Sequence, residues 1–259
     1  MDPIAQFKAE RKDTLASYSS DVRFQDISQD WLKEAMEKRY VYNFDWLGRP
    51  IIQFPQDVFA IQELVWTTRP DVIIETGIAH GGSLILSASL LALLDYCDAV
   101  ETGTTLDTTT ASRRVIGVDI DIRKHNRAAI EAHPMSNKIK MVEGSSIDAD
   151  TLDRVRELVG EAARVMVCLD SNHTHDHVLS ELNAYTNFVT PGSYCVVFDT
   201  FIEDMPQGFI KDRPWDKSNN PKTAVHEWLS SNSHFAIDRE IETKLMVTGA
   251  PSGFLKRVG

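Results

Sequence analysis

The stretch from Val72 to Ser83, VIIETGIAHGGS, constrains this chain more than any other. Asp71 to Glu75 is a short run rich in β-branched residues, the pattern of a strand buried on both faces. Glycines at 77, 81 and 82 then allow a tight turn into the apolar run Leu84 to Leu94. The order is strand, glycine loop, buried helix. Glycines this close together let a ligand approach backbone that a Cβ would block, and the N–H groups opening the helix suit a carboxylate or phosphate. The spacing is Gly-x-x-x-Gly, unlike the Gly-x-Gly-x-x-Gly of dinucleotide folds. An ordinary strand-to-helix turn of another α/β protein shares this local pattern, so its meaning depends on the rest of the chain.

At 259 residues the chain is long enough to bury a substantial core as one α/β domain with an N-terminal extension. Its net charge of -11, with no clustered basic patch, argues against nucleic acid and anionic membranes as partners. Cys97, Cys168 and Cys195 are odd in number and lack metal-type spacing, which fits reduced thiols of a cytoplasmic protein. No apolar run reads as long enough to cross a membrane, and the polar start MDPIAQFKAERKD is not a signal peptide. A soluble protein is expected.

Residues 1 to about 42 read as two helical blocks, the second carrying Trp31, Leu32, Met36 and Tyr40, and together they predict a helical cap. Trp46 to Asp57 reads as a turn and extended segment, followed by an amphipathic helix to about Trp66. Residues 96 to 114, rich in Thr and Asp, read as a surface insertion, either a lid or mobile decoration. Strands are expected at Arg114 to Asp119, Lys138 to Val142, Val165 to Leu169 and Ser193 to Phe198. Helices are expected up to Pro134, over about Asp150 to Val159 and over about 222 to 231. A Pro- and Asn-rich loop covers about 203 to 221, and Phe235 to Asp238 with Gly253 to Val258 fits an antiparallel pair closing the sheet.

Four of these strands bring polar residues to the carboxyl edge, where open parallel sheets bind ligands. Asp119 suits the hydroxyls of a ribose, and Asp121 suits the N-cap of the next helix. Ser146 either touches a nucleobase or caps near Asp148. Asp170 and Asp199 either present hard oxygen ligands to Mg²⁺ or cap strand-helix turns. Between them runs Asp170-Ser171-Asn172-His173-Thr174-His175-Asp176-His177, one residue short of the His-x-His-x-Asp-His signature of zinc hydrolases. On a helix His173 and His177 share a face while His175 points elsewhere, so three-His zinc ligation is not expected. A His of near-neutral pKa at this edge suits a general base, with His175 and His177 as competitors of His173.

The runs WLGRPIIQFPQD, ETGIAHGGS, DSNHTHDHVLSEL, VTPGSY and NNPKTAV resemble the cephalosporin hydroxylase / rhamnosyl O-methyltransferase family from about Trp46 onward. The resemblance implies a class I methyltransferase fold that uses S-adenosylmethionine (SAM), and more distantly the sheet is similar to that of catechol O-methyltransferases. Carried over, Glu75, Gly77, Ala79, His80, Gly81 and Ser83 would surround the methionine part of SAM, Asp119 the ribose and Ser146 the adenine. Asp170 would touch both cofactor and metal, Asp199 would bind metal, and His173 falls where the catechol enzymes carry their catalytic lysine. The family shows Glu-Asp at the end of the fifth strand and this chain has Phe198-Asp199, so one expected carboxylate is missing; Thr200, Glu203 and Asp204 stand nearest to replace it. The "hydroxylase" half of the family label finds no support, since no His-x-Asp iron-binding pair is present.

The resulting expectation is a Rossmann-like three-layer α/β sandwich with a mostly parallel seven-stranded sheet and an antiparallel C-terminal strand pair. Residues 1–56 would form the N-terminal helical cap and extended segment, and residues 57–259 the SAM-binding domain. The activity would be SAM-dependent O-methylation of a rhamnose-like hydroxyl of a small-molecule glycoside in antibiotic-type biosynthesis, assisted by Mg²⁺. The chain would act as a homo-oligomer, with catalysis by His173 and Asp170. A nicotinamide-dependent oxidoreductase and a non-catalytic cofactor-binding homologue are the alternatives.

Overall fold

The computed structural model describes residues 2–109 and 112–259. Helices α1 (Pro3–Ser20) and α2 (Val22–Glu37) lead to a hairpin of β1 (Phe44–Trp46) and β2 (Arg49–Ile51), and then to α3 (Pro55–Thr68). Strands and helices then alternate: β3 (Val72–Thr76), α4 (Gly82–Thr102), β4 (Arg114–Asp119), α5 (Lys124–Glu131), β5 (Ile139–Glu143), α6 (Ala149–Val159), β6 (Val165–Leu169) and α7 (His175–Tyr185). The chain ends with β7 (Tyr194–Val197), α8 (Pro221–Leu229), β8 (Phe235–Ile237), α9 (Arg239–Leu245) and β9 (Phe254–Arg257).

The seven-stranded sheet has the order β5-β4-β3-β6-β7-β9-β8. Strands β5 to β7 pair in parallel, and β9 runs antiparallel to both β7 and β8. Because strand side chains alternate between faces, β3 sends Ile73 into the core under α3 and α4, and Val72 and Ile74 into the core under α6, α7 and α8. This two-sided burial is why β3, β4 and β6 read as near-continuous apolar runs. The order reverses between β3 and β6, which opens a crevice at their carboxyl ends.

Four expectations need correction. Helix α4 does not end near Leu94 but continues through residues 96–102 to the left-handed Gly103, so only residues 103–113 form the expected insertion, and Thr110 and Ala111 of it lie outside the described residues. The same extension makes α4, at 21 residues, long and apolar enough to cross a membrane by length and composition, contrary to the reading of the sequence. Its burial accounts for that composition: Leu84, Ile85, Leu86, Leu90, Leu91 and Leu94 all pack into the core against the sheet. Asp121 is not an N-cap; Arg123 holds that position, and the Asp121 N–H donates to Asp119 Oδ1 at 3.1 Å. Helix α9 falls where only a connection was expected.

Of the two N-terminal helices only α2 reaches the crevice, where Met36 lines it. Helix α1 has no buried residue, whereas α2 buries Leu32 and Ala35 in a third apolar cluster with Phe54, Phe201, Ile202 and Val247. Phe54 and Phe201 of that cluster line one side of the crevice.

Candidate active site

The glycine loop after β3 is shaped by close backbone approach. Gly77 has φ +90°, and a Cβ there would lie 2.0 Å from the Asp170 carbonyl oxygen at the end of β6. Gly82 has the same problem with the Pro50 carbonyl, at 2.3 Å. The loop is thus wedged between β6 and the β1-β2 hairpin, and neither position admits a side chain without displacing backbone. Arg49 fastens the hairpin to the loop by donating from Nε to the His80 carbonyl at 3.0 Å, while Asn126 Nδ2 donates to the Ala79 carbonyl at 2.8 Å. Ala79 itself takes a left-handed φ of 46°.

Two connected cavities flank this loop. The larger, of ≈ 310 Å³, is lined by Gly77 to Ser83, Asp170, His173, Asp199 and Asp57. The second, of ≈ 260 Å³, is lined by Asp119, Ser145, Ser146 and His177. Gly77, Ser171 and Trp215 line both. Of the residues expected around an amino-acid group, Gly77, Ala79, His80, Gly81 and Ser83 face one cavity while Glu75 lies buried behind Ser83, and those expected around a nucleoside, Asp119 and Ser146, face the other.

Within the first cavity, Ser83 Oγ donates to Glu75 Oε1, and Glu75 is buried. Burial pushes its carboxyl up to about 7, against the lowering effect of Ser83. Asp119 accepts from the Ile78 N–H at 2.8 Å through Oδ2, so it orients the glycine loop as well as facing the nucleoside cavity. Ser146 caps nothing: its Oγ lies 3.1 Å from His177 Nε2, and Asp148 holds the N-cap position of α6.

The three histidines diverge. His173 precedes α7 rather than beginning it, because Thr174 is the N-cap. Its Nε2 lies 3.1 Å from Asp199 Oδ2, and its ring meets Trp215 edge-on with centroids 4.8 Å apart. His175 Nδ1 pairs with Thr223 Oγ1 at 2.8 Å, and His177 turns to Ser146, Ser171 and Glu181. No zinc site of three histidines forms here.

Instead, one ligand atom from each of Asp170, His173 and Asp199 lies within 4.8 Å of the others. Asp170 caps no helix, and Asp199 holds the N-cap position of a 3-10 turn but makes no side-chain bond to it, at a left-handed φ of 57° that marks strain at this point. Burial, then the charge of Asp199, then that of Glu75, raises the Asp170 carboxyl well above its ordinary range. Two half-buried carboxylates this close without a cation suit a hard divalent ion, which takes one or two protein carboxylates and keeps waters. Of the residues nearest Phe198, Asp204 is occupied by Lys222 and Glu203 by Ser218 and Asn220, so neither replaces the missing carboxylate.

The sequence reading missed Asp57, Arg213 and Trp215, which also line the cavity. Asp57 is buried on α3, accepts from Thr248 Oγ1 and from the Gly249 N–H at 2.8 Å, and is pushed up to about 7 by burial. The family-like run WLGRPIIQFPQD ends on this residue and was its only signal.

Comparison with known proteins agrees with this geometry. The family model "Rhamnosyl O-methyltransferase/CmcI" matches residues 38–258. The chain belongs to this family. Rhamnosyl O-methyltransferase of Mycobacterium tuberculosis (strain H37Rv) is 24% identical over 255 residues, covering 94% of this chain and 91% of the relative. That of Mycobacterium leprae is 25% identical over 183 residues, covering 68% and 71%. Among solved structures, cmcI with Mg and SAM superposes with a TM-score of 0.54 at 19% identity, covering 84% of this chain and 78% of that one. The TDP-rhamnose 3'-O-methyltransferase CalS11 superposes with 0.50 at 16% identity, covering 78% and 79%. The fold is that of class I SAM-dependent methyltransferases, and this chain is a SAM-dependent O-methyltransferase.

Proposed function

We propose that this chain transfers a methyl group from SAM to a rhamnose-like hydroxyl of a small-molecule glycoside, in the cytoplasm and with Mg²⁺ present. The observation that carries the reading is the Asp170, His173 and Asp199 cluster opening onto the same cavity as the Gly77 to Ser83 loop. The family name and the curated relatives supply the sugar class. SAM supplies the electrophilic methyl group, and Mg²⁺ at Asp170 and Asp199 supplies positive charge that makes the acceptor hydroxyl more acidic.

Each residue then has one task. Glu75 and the loop backbone hold the amino-acid end of the cofactor, while Asp119 and Ser146 hold its nucleoside end. His173 Nε2–H donates to Asp199 Oδ2, which fixes the ring and leaves Nδ1 to take the hydroxyl proton as the oxygen attacks. Asp199 keeps its other oxygen for the ion. Holding oxygen, methyl carbon and sulfur in line is the larger part of the rate gain.

Incubating the protein with SAM, Mg²⁺ and methyl α-rhamnoside, and following S-adenosylhomocysteine (SAH) release and product mass, tests the reading. Methylated sugar that is lost on chelation is expected. Binding of NAD(H) without any response to SAH would move the chain to the oxidoreductases, and tight SAH binding with no turnover of any glycoside would leave a non-catalytic homologue.

A further inference from the structure

Residues 205–220 form a long connection without helix or strand, and such a loop in a compact fold is usually functional. Its base is pinned by side chains. Asp216 Oδ2 accepts from the Gly208 N–H and from Gln207 Nε2, both at 2.7 Å. Glu203 Oε2 accepts from the Ser218 N–H at 2.7 Å and from Asn220 Nδ2 at 2.6 Å. Asn219 reaches both ways: its Nδ2 donates to the Pro214 carbonyl at 2.8 Å, and its Oδ1 accepts from the His175 N–H at 3.0 Å. The carbonyl just before Trp215 is thereby tied to the start of α7. What this framework presents to the cavity is Arg213 and Trp215.

Arg213 is exposed, and among the described residues its guanidinium makes no ion pair or hydrogen bond, only a contact 5.3 Å above the Trp215 ring. Asp57, Asp170 and Asp199 line the same cavity, together with His173, whose ring meets the edge of that indole. An acceptor whose hydroxyl reaches His173 and whose ring lies along Trp215 therefore has its far end beside an unpaired, planar, bidentate cation. In a chain of net charge -11 the long-range field repels anions, so this guanidinium is suited to reading a charge already docked rather than to steering it in.

We infer that Arg213 is a specificity-determining residue that binds an anionic group, phosphoryl or carboxylate, on the acceptor, so that the substrate is a charged glycoside such as a glycosyl phosphate or diphosphate. This rests on the methyltransferase reading above and names its acceptor class.

The test uses the full chain loaded with SAH. Inorganic phosphate titrated calorimetrically should bind the native protein, with affinity reduced by about 10-fold or more in Arg213→Gln and largely restored in Arg213→Lys, as expected for loss and return of a charge-assisted contact. Acetate run beside phosphate separates the carboxylate from the phosphoryl source. With SAM, the preference in kcat/KM for rhamnose 1-phosphate over methyl α-rhamnoside should fall by about 10-fold or more in Arg213→Gln. Phosphate binding that is absent in the native protein, or unchanged by Arg213→Gln, overturns the inference. So does a matching loss of SAH affinity in that variant, which would give the guanidinium to the cofactor carboxylate. If the two rhamnosides turn over equally well, the sugar assignment stands and this inference falls. If neither turns over while phosphate binding still depends on Arg213, the sugar assignment falls and this inference stands.

Discussion

The two edges of the central sheet are both rich in acids, and they treat them in opposite ways. At the amino edge Asp71, Asp95 and Asp98 each have a cation. Asp95, on the buried flank of α4, pairs with Arg113 and Lys138, and Asp98 pairs with Arg113 and Arg69. Burial alone would raise the Asp98 carboxyl, but the two guanidinium groups outweigh it and leave it lowered. At the carboxyl edge, Glu75, Asp57 and Asp170 are all raised, and no Lys or Arg pairs with them among the described residues. An acid bonded to cations in place holds the fold together, whereas acids gathered without them store electrostatic cost that a bound cation relieves. The methyl donor is a sulfonium with an ammonium group, and Mg²⁺ is divalent, so the carboxyl edge is shaped for positively charged ligands.

This contrast can be broken most sharply at His173. His173→Ala should lower kcat by about 10² to 10⁴ while SAH affinity stays within about twofold, because a lost general base acts on the chemical step. Mg²⁺ affinity measured on the same variant separates the roles: retained binding leaves His173 as the base, and lost binding makes it the ligand that stands in for the carboxylate absent at Phe198.

The amino edge should respond in the reverse sense. Asp95→Ala strands Lys138, whose side chain is only 9% exposed, leaves the buried Arg113 with Asp98 alone, and should destabilise the protein by about 3–5 kcal/mol in urea unfolding. The kcat of the fraction that remains folded should be unchanged. A large fall in kcat at constant stability would erase the distinction between the edges.

The smallest effect is on pH. Glu75 and Asp57 hold their protons to about 7 in the folded chain, against ordinary values of 4.5 and 3.8. Between those limits the native state binds more protons than the unfolded one, so stability is greatest below about pH 4.5 as far as these groups go and is lost as pH rises toward 7. Each of the two groups should cost the ligand-free protein about 2–3 kcal/mol between about pH 5 and pH 8, and a Glu75→Gln/Asp57→Asn variant should show a flatter profile. A native profile that rises over this range would mean that other groups dominate the edge.

The parts of the fold that were legible in the sequence are those in which one signal dominates. Arg114 to Asp119 and Val165 to Leu169 were bounded to the residue because both are central strands, buried on each face and ended by an acid. The end of α4 was not legible, because Thr and Asp on its exposed last turns mimic a loop until Gly103 stops the helix. Helix α9 is seven residues long and largely charged, too short for its period to show. The same divide runs through the site. Asp170, His173 and Asp199 sit at or just beyond strand ends, where topology alone brings them together. Asp57 reaches the cavity from α3 through contacts 191 and 192 residues along the chain, and Arg213 from a loop tied to His175 across 44 residues, and no local pattern announces those.

Gly77 ties these observations to the behaviour of the enzyme in time. Since its Cα packs on the Asp170 carbonyl with no room for a methyl group, the glycine loop after β3 and the loop that carries Asp170 form one mechanical unit. A shift of either by a few tenths of an ångström has to be matched by the other. Drift at position 77 is accordingly closed to every side chain, for a reason that would persist in a descendant that had lost its cofactor altogether.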